Sequence, residues 1–302
     1  MEKIGIVTVT YNSEKFLEDF FDSILNQSYD NFNIYIIDNN SQDNTIGLIK
    51  KKKDNRVKLI CNNINYGVAK ANNIGIKAAL EDYCSNVLLL NNDIKCEHDL
   101  IKKMVEIQYN NNCSMVAPKI LYHDDNSIIW YAGSNFVKSK GLLPIHFGNR
   151  KPDSQLYDGI FQTQYAPTCC LLIKDTVFHD IGYMDEKYFV YFDDTDFLYR
   201  VYKHKKHKLF YFSDVLFFHK VGGLTKSFKS INNKNFRGDF FIKQNTRNHV
   251  YFLKKVGTFY SYLYISYLFF KNNLKFFIRI DIQKNFSTWK LINKSFFEGL
   301  KL

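Results

Sequence analysis

No uninterrupted apolar run in this chain reaches the roughly 18 residues expected of a membrane-spanning helix. The nearest approach is Tyr260 to Phe270, so no span is expected, and a helix lying on a surface stays open. Cysteine is scarce and unpatterned. Its six positions, Cys61, Cys84, Cys96, Cys113, Cys169 and Cys170, form no CxxC pair and no His/Cys metal spacing, so they read as reduced, mostly buried thiols. The early apolar stretch Ile4 to Val9 is interrupted by Gly5 and Thr8 and has only Lys3 before it, which does not make a signal peptide and predicts a cytoplasmic chain. No Pro/Gly/Ser-rich linker divides the sequence, and no repeat recurs at a solenoid period. Acids are in the minority. With 30 Asp and Glu against 41 Lys and Arg, the net charge of +11 favours an anionic partner: a nucleotide, a nucleic acid or an acidic membrane surface.

What is present is enough for a full core. The 302 residues are 46% hydrophobic, which suits one large domain or one domain with an appendage. Over the first third, apolar runs alternate with helical patterns: Ile4 to Thr10, Glu14 to Gln27, Ile34 to Asp38, a polar helix, Val57 to Cys61, another helix, and Val87 to Leu90. That βαβ series predicts an α/β fold with a mostly parallel sheet. In the first helix Phe16, Leu17, Phe20, Phe21, Ile24 and Leu25 form one apolar stripe for packing on the sheet. Asn12 or Ser13 is placed to cap it, and Asn40 or Ser41 to cap the next. From about Met115 the strands become shorter and irregular, and after Lys234 a helix-prone tail crowded with Phe, Tyr and Lys begins. The expected division is residues 1–234 as a catalytic domain, with halves 1–114 and 115–234, followed by a helical extension over 235–302.

Chemistry gathers at the strand ends. Open α/β sheets bind ligands in the crevice at the carboxyl ends of their strands. Thr8, Thr10, Tyr11 and Asn12 close the first strand with hydroxyl, ring and amide groups able to read a pyrimidine base. Asp38 closes the next strand and can accept from a base or ribose, with Asn40 beside it. Asn65 and Gly67 lead into a helix whose small residues, Ala69, Ala71 and Gly75, would admit a nucleotide close to its backbone, with Asn72 facing it. Val87 to Leu90 then run into Asn91-Asn92-Asp93, where a hard divalent cation could grip a diphosphate. Farther on, Asp193, Asp194 and Asp196 crowd four positions; mutual repulsion disfavours full ionisation and poises one as a base. Asp196 is spaced to pair with Arg200 at i+4.

Taken in order, Val9-Thr10-Tyr11-Asn12, Asp38-Asn39-Asn40-Ser41, Asn65-Tyr66-Gly67 with Ala71-Asn72-Asn73 and Gly75, Asn91-Asn92-Asp93, Cys170 to Ile173, Gly182 to Glu186, Tyr191 to Asp196 and His219 resemble the family 2 inverting glycosyltransferases of GT-A fold, within their rhamnosyltransferase-like and galactofuranosyltransferase-like branch. The resemblance runs from Ile4 to about His249. It implies that Thr8, Thr10 and Tyr11 line the base, that Asp38 recognises base or ribose, and that Asn65, Gly67, Asn72 and Asn92 border the nucleotide sugar. Asp93 takes the place of the last acid of the family's DxD motif. Asn91 replaces the first acid, and His219 resembles the third ligand of a Mn2+ or Mg2+ ion. Asp194 matches the general base, Asp193 replaces the commoner Glu beside it, and Asp185 and Glu186, with Asp196, fall to the acceptor side. Lys220 and Lys226 are candidates to stabilise the leaving diphosphate.

The implied activity is hexosyl transfer from a UDP- or dTDP-linked sugar, of rhamnose or galactose type, to a hydroxyl of a glycan acceptor. The setting it suggests is bacterial surface polysaccharide assembly, such as O-antigen or capsule. A tail of aromatics among lysines suits peripheral attachment to an anionic bilayer from the cytoplasmic side, and with it a lipid-linked acceptor. Two other classes compete. A nucleotidyltransferase acting on sugar phosphates needs an early Gly-rich phosphate loop with a basic residue, which Thr8 to Ser13 does not supply. A non-catalytic nucleotide or nucleic-acid binder would want cations where this chain has acids, so no nucleic-acid partner is expected.

Overall fold

The computed structural model describes residues 2–220, 238–278 and 286–302. In chain order the first half runs β1 (Ile4–Thr10), α1 (Leu17–Leu25), β2 (Phe32–Asp38), α2 (Thr45–Lys51), β3 (Val57–Cys61), α3 (Val68–Glu81), β4 (Asn86–Leu90), β5 (Ile94–Cys96) and α4 (Leu100–Asn110). The second half continues with β6 (Met115–Pro118), β7 (Ile120–Tyr122), β8 (Ile129–Tyr131), β9 (Ser134–Val137), β10 (Leu143–His146), β11 (Ile160–Thr163), β12 (Cys170–Lys174), α5 (Asp175–Ile181), α6 (Asp193–His204), β13 (Leu209–Phe212) and β14 (Phe217–His219). Three helices close the chain: α7 (Asp239–Val256), α8 (Phe259–Ile278) and α9 (Phe286–Lys301).

Eight strands form the main sheet in the order β11-β13-β6-β12-β4-β1-β2-β3. Four of its seven strand pairs are parallel, and β12 runs antiparallel between β4 and β6, joining the two halves of the chain through one sheet. Every residue of β4 is buried, as a strand covered on both faces requires. Gly75 and Ala79 of α3 let the helix pack closely on the sheet. A Cβ on Gly75 would stand 2.4 Å from Val7, and one on Gly5 2.4 Å from Ala79, so the helix lies close on β1 because neither position carries a side chain. The apolar stripe of α1 packs as its spacing predicts, with Leu17, Phe20, Phe21 and Ile24 buried.

The expected caps are not made. No side chain caps α1 or α2; Ser13 Oγ accepts from the Tyr11 amide and Ser41 accepts from Asn12 and donates to Asp38. Both helices begin later than their patterns suggest, at Leu17 and Thr45, because Asn12, Asp38, Ser41 and Asp43 are spent tying the two strand-end loops to each other. A second sheet, β5-β14-β7-β8, stands beside the first. Its antiparallel β14–β5 pair sets His219 opposite Ile94, next to Asp93. The tail is helical as expected. The domain boundary placed at 234 falls outside the described residues.

Candidate active site

The carboxyl ends of β1 and β4, the start of α3 and the start of α6 border one cleft of about 960 Å3. Its floor includes Val9, Tyr11, Asn12 and Asn91 to Asp93; Asn65, Gly67 and Asn72 form one side; Tyr165 and the segment Phe189 to Thr195 form another. Gly67 is held by an Asx turn from Asn65 (2.9 Å) at φ +82°, and a Cβ there would stand 2.3 Å from the Phe189 carbonyl oxygen. The Val68 amide donates to that same oxygen at 2.6 Å, so the loop before α6 lies directly on the loop before α3.

Asp93 and His219 meet at the cleft floor. His219 Nε2 is 3.2 Å from Asp93 Oδ1 and 3.2 Å from the amide nitrogen of Asn91, and both residues are buried. Asp93 Oδ1 and His219 Nδ1 have no hydrogen-bond partner among the described residues. A buried carboxylate oxygen without a donor is costly unless something charged meets it. Oxygen and imidazole ligands suit a divalent cation such as Mn2+ or Mg2+, so the residues fit one. Among the described residues no group of three or more His, Cys, Asp or Glu is arranged to hold a metal ion. Two ionisable side chains and the Asn91 amide are therefore what the described protein offers, and donor phosphate oxygens would have to complete the shell.

The second carboxylate centre is the start of α6. Asp193 is buried and Asp194 half-buried at the cleft wall. Asp194 Oδ2 accepts from the Tyr165 hydroxyl (2.6 Å) and Oδ1 from the Thr195 amide (2.6 Å). Burial raises both carboxyls above the usual carboxylate range, with mutual repulsion adding to the rise at Asp193 and the Tyr165 bond opposing it at Asp194. Burial, with the charges of Asp93 and Asp194, pushes the Cys169 thiol far up, so this thiol at the cleft lining stays protonated. Burial also lowers His146, whose ring stacks on Tyr165 at 5.7 Å, which favours its neutral form.

A family model described as "Glycosyl transferase family 2" matches residues 5–182, a stretch that carries β1 through α5 and the Asp93 end of the cleft. The chain belongs to glycosyl transferase family 2. Among curated relatives of this family-2 chain, the low-salt glycan biosynthesis hexosyltransferase Agl10 of Haloferax volcanii is 27% identical over 207 residues, covering 66% of this chain and 62% of that one. The dTDP-rhamnosyl transferase RfbF of Shigella flexneri is 27% identical over 198 residues, covering 65% and 62%. The chain thus spans about six tenths of either relative's length. In fold it is similar to the mannosyltransferase PcManGT of Pyrobaculum calidifontis, solved with GDP-Man and Mn2+, with a TM-score of 0.56, 14% identity, and coverage of 84% of this chain and 64% of that one. The architecture is GT-A.

Not every residue singled out in the sequence reaches the cleft of this family-2 chain. Tyr11, Asn12, Asn65, Gly67, Asn72, Asn91, Asn92, Asp93, Asp193, Asp194 and His219 line it. Thr8, Thr10, Asp38 and Asn40 are not among its lining residues. The first three are fully buried, and Asp38 is occupied by the Thr10 hydroxyl (2.9 Å) and by Ser41, so it shapes the loop that carries Tyr11 and Asn12. Asp185, Glu186 and Asp196 also lie outside the lining. Asp185 and Asp196 both accept from Lys255 of α7, Asp196 also pairs with Arg200, and Glu186 accepts from Asn73, so these acids tie the start of α6 and the loop before it to α7 and α3. Lys220 pairs with Asp19, and Lys226 lies outside the described residues.

Other groups had no motif to announce them. Lys15 is the sole Lys or Arg among the described lining residues, Tyr165 lines the cleft from the loop after β11, and His146, at the end of β10, stacks on Tyr165 from behind the lining. Tyr191 and Phe192, at φ +64° and +70°, are two successive left-handed residues, a conformation costing roughly 1–2 kcal/mol each without glycine. Strain of this kind gathers where geometry serves a site.

Proposed function

We propose that this chain is an inverting glycosyltransferase moving a sugar from a UDP- or dTDP-linked donor, of rhamnose or galactose type, to a hydroxyl of a glycan acceptor. What supports this reading is one cleft with a hydrogen-bonded Asp194 on its wall and, at its floor, a buried Asp93 whose Oδ1 faces His219 at 3.2 Å without a hydrogen bond. Tyr11, Asn12 and Asn65 border the space for the nucleotide, and Asn72 and Asn92 that for its sugar. A divalent ion bound by Asp93, His219 and Asn91 would neutralise charge on the leaving diphosphate. Asp194 takes the proton of the acceptor hydroxyl as its oxygen forms a bond to the anomeric carbon. The bond to the leaving phosphate oxygen breaks from the opposite face, and configuration inverts. Lys15 supplies a cation to the departing phosphates, and Tyr165 fixes which Asp194 oxygen faces the acceptor. Residues 1–234 act as the catalytic unit in this reading.

A thermal-shift screen of UDP, dTDP, GDP and CMP with and without Mn2+ tests it, because a ligand that binds only the folded state raises apparent stability. Metal-dependent stabilisation by UDP or dTDP is expected. Stabilisation by none of the four at millimolar concentration would overturn the donor assignment.

The tail suits an acceptor presented at a membrane. Among the described residues no helix is long and apolar enough to cross one. Yet Phe259, Tyr262, Leu263, Tyr267, Phe270 and Leu274 are exposed along one face of α8, while Ser261 and Ile265 point inward. The α8 sequence contains no acid, and Lys290, Lys294 and Lys301 stand exposed on α9. Apolar rings flanked by cations match an anionic bilayer surface, where a lipid-linked glycan from surface-polysaccharide assembly would be at hand. Exchanging Leu263 and Phe270 for Ser is expected to cut binding to phosphatidylglycerol vesicles at least about tenfold, since each buried side chain of that size contributes about 1.5–3 kcal/mol. Cosedimentation unchanged by the double substitution would remove the membrane from the reading.

A further inference from the structure

The structure ties the acids of α6 to a residue far outside the matched family region. Asn248 of α7 is fully buried, and its amide nitrogen donates both hydrogens, one to the Val190 carbonyl (2.9 Å) and one to the Tyr191 carbonyl (2.8 Å). Its oxygen accepts from Arg247 Nε (2.9 Å), which fixes the amide's orientation. The two carbonyls belong to the turn that ends in left-handed Tyr191 and Phe192 and delivers Asp193 and Asp194 as the first residues of α6. Neighbouring α7 residues grip the same turn. The Tyr191 ring meets Phe241 at 5.3 Å, and the Phe192 ring stacks on His249 at 5.2 Å and lies 6.0 Å from Phe252.

We propose that Asn248 is a positioning residue for the reaction: by satisfying the Val190 and Tyr191 carbonyls it holds the left-handed turn that aims Asp194 into the cleft. The physical reason is specific. Non-glycine residues leave the left-handed region unless surrounding contacts over-determine it, and a backbone carbonyl buried without a donor favours any rearrangement that finds one. Only a side-chain amide offers two donors on one nitrogen together with an acceptor for Arg247. Lys255, about two helical turns farther along α7, bonds Asp196 in the first turn of α6 and Asp185 in the loop before it, so α7 holds this region at a second point. The catalytic geometry therefore depends on the tail helix as well as on the sheet.

This inference rests on Asp194 being the base, and the experiment separates the two. The assay is nucleoside diphosphate release from whichever UDP- or dTDP-sugar the enzyme turns over. Asn248→Ala is expected to lower kcat about 100-fold, the loss that a misplacement near 1 Å brings, with KM for the donor changed less than about threefold. Adding Tyr191→Gly to Asn248→Ala should recover at least about tenfold of that loss, because glycine takes the left-handed conformation unaided. A kcat within about threefold of wild type in folded Asn248→Ala would overturn the proposal. So would a loss that Tyr191→Gly deepens, since that is the behaviour of a residue that only packs. If instead Asp194→Asn keeps full activity, the base assignment fails, whatever Asn248→Ala does.

Discussion

Asp194→Asn is expected to slow sugar transfer by about 10²–10⁴-fold, the range over which a positioned general base contributes, while the Kd for the donor nucleotide stays within about twofold. The amide keeps the shape of the side chain: its oxygen can still accept from the Thr195 amide, while its nitrogen takes the place of the oxygen that accepted from Tyr165 and can donate to that hydroxyl instead. What it loses is the ability to take a proton. Single-turnover measurement at saturating donor reads that loss directly, and undiminished turnover would remove Asp194 from the mechanism. The wild-type pH profile gives a second check. Burial raises the Asp194 carboxyl above its ordinary range, so the acid limb of kcat should lie at higher pH than an exposed aspartate would give, with activity lost as pH falls through it. The same shift has a sign for stability. Asp193 and Asp194 hold protons more tightly in the folded chain than in the unfolded one. Their contribution is therefore fully present below the ordinary carboxylate pKa and is lost as pH rises through the raised one. The site is built at the expense of stability at neutral pH.

The second large effect is expected at the cleft floor. Asp93→Ala should abolish any Mn2+-dependent stabilisation by UDP or dTDP and lower kcat/KM by roughly 10²–10³-fold, as removing several kcal/mol of charge stabilisation implies. The substitution also removes a buried carboxylate oxygen that faces His219 at 3.2 Å but makes no hydrogen bond among the described residues, so the metal-free protein should melt close to wild type. Those two readouts together are diagnostic. A structural aspartate would show lower melting without loss of metal response. Direct manganese binding followed by electron paramagnetic resonance provides the check that needs no turnover: the free Mn2+ signal should persist with Asp93→Ala under conditions where wild type with UDP quenches it. Quenching equal to wild type would take Asp93 out of the metal site.

The sequence by itself determined the α/β class, the alternation of strands and helices up to β4, and the two acidic centres. Each of these is local. A buried parallel strand must be continuously apolar, as Val87 to Leu90 are, and a ligand-facing strand end must then turn polar at once, as Asn91 to Asp93 do. The crowding of Asp193, Asp194 and Asp196 could likewise be read from spacing alone. What spacing could not decide was which acid faces the cleft. Asp194 and Asp196 stand two positions apart on one helix, yet one lines the cavity and the other is drawn away by Arg200 and Lys255, the latter 59 positions downstream. Asp38 reads in the sequence as a nucleotide contact, and only the fold shows that its oxygens also bond Thr10 and Ser41 within the strand-end loops. Tyr165, His146 and Asn248 left no signature, because their roles arise from partners on other elements, and hydrogen bonds across such distances follow no period in the chain. Tertiary structure decided these assignments because a polar side chain's function depends on whether its hydrogen-bonding capacity is already used, and that is settled by neighbours the sequence does not place beside it.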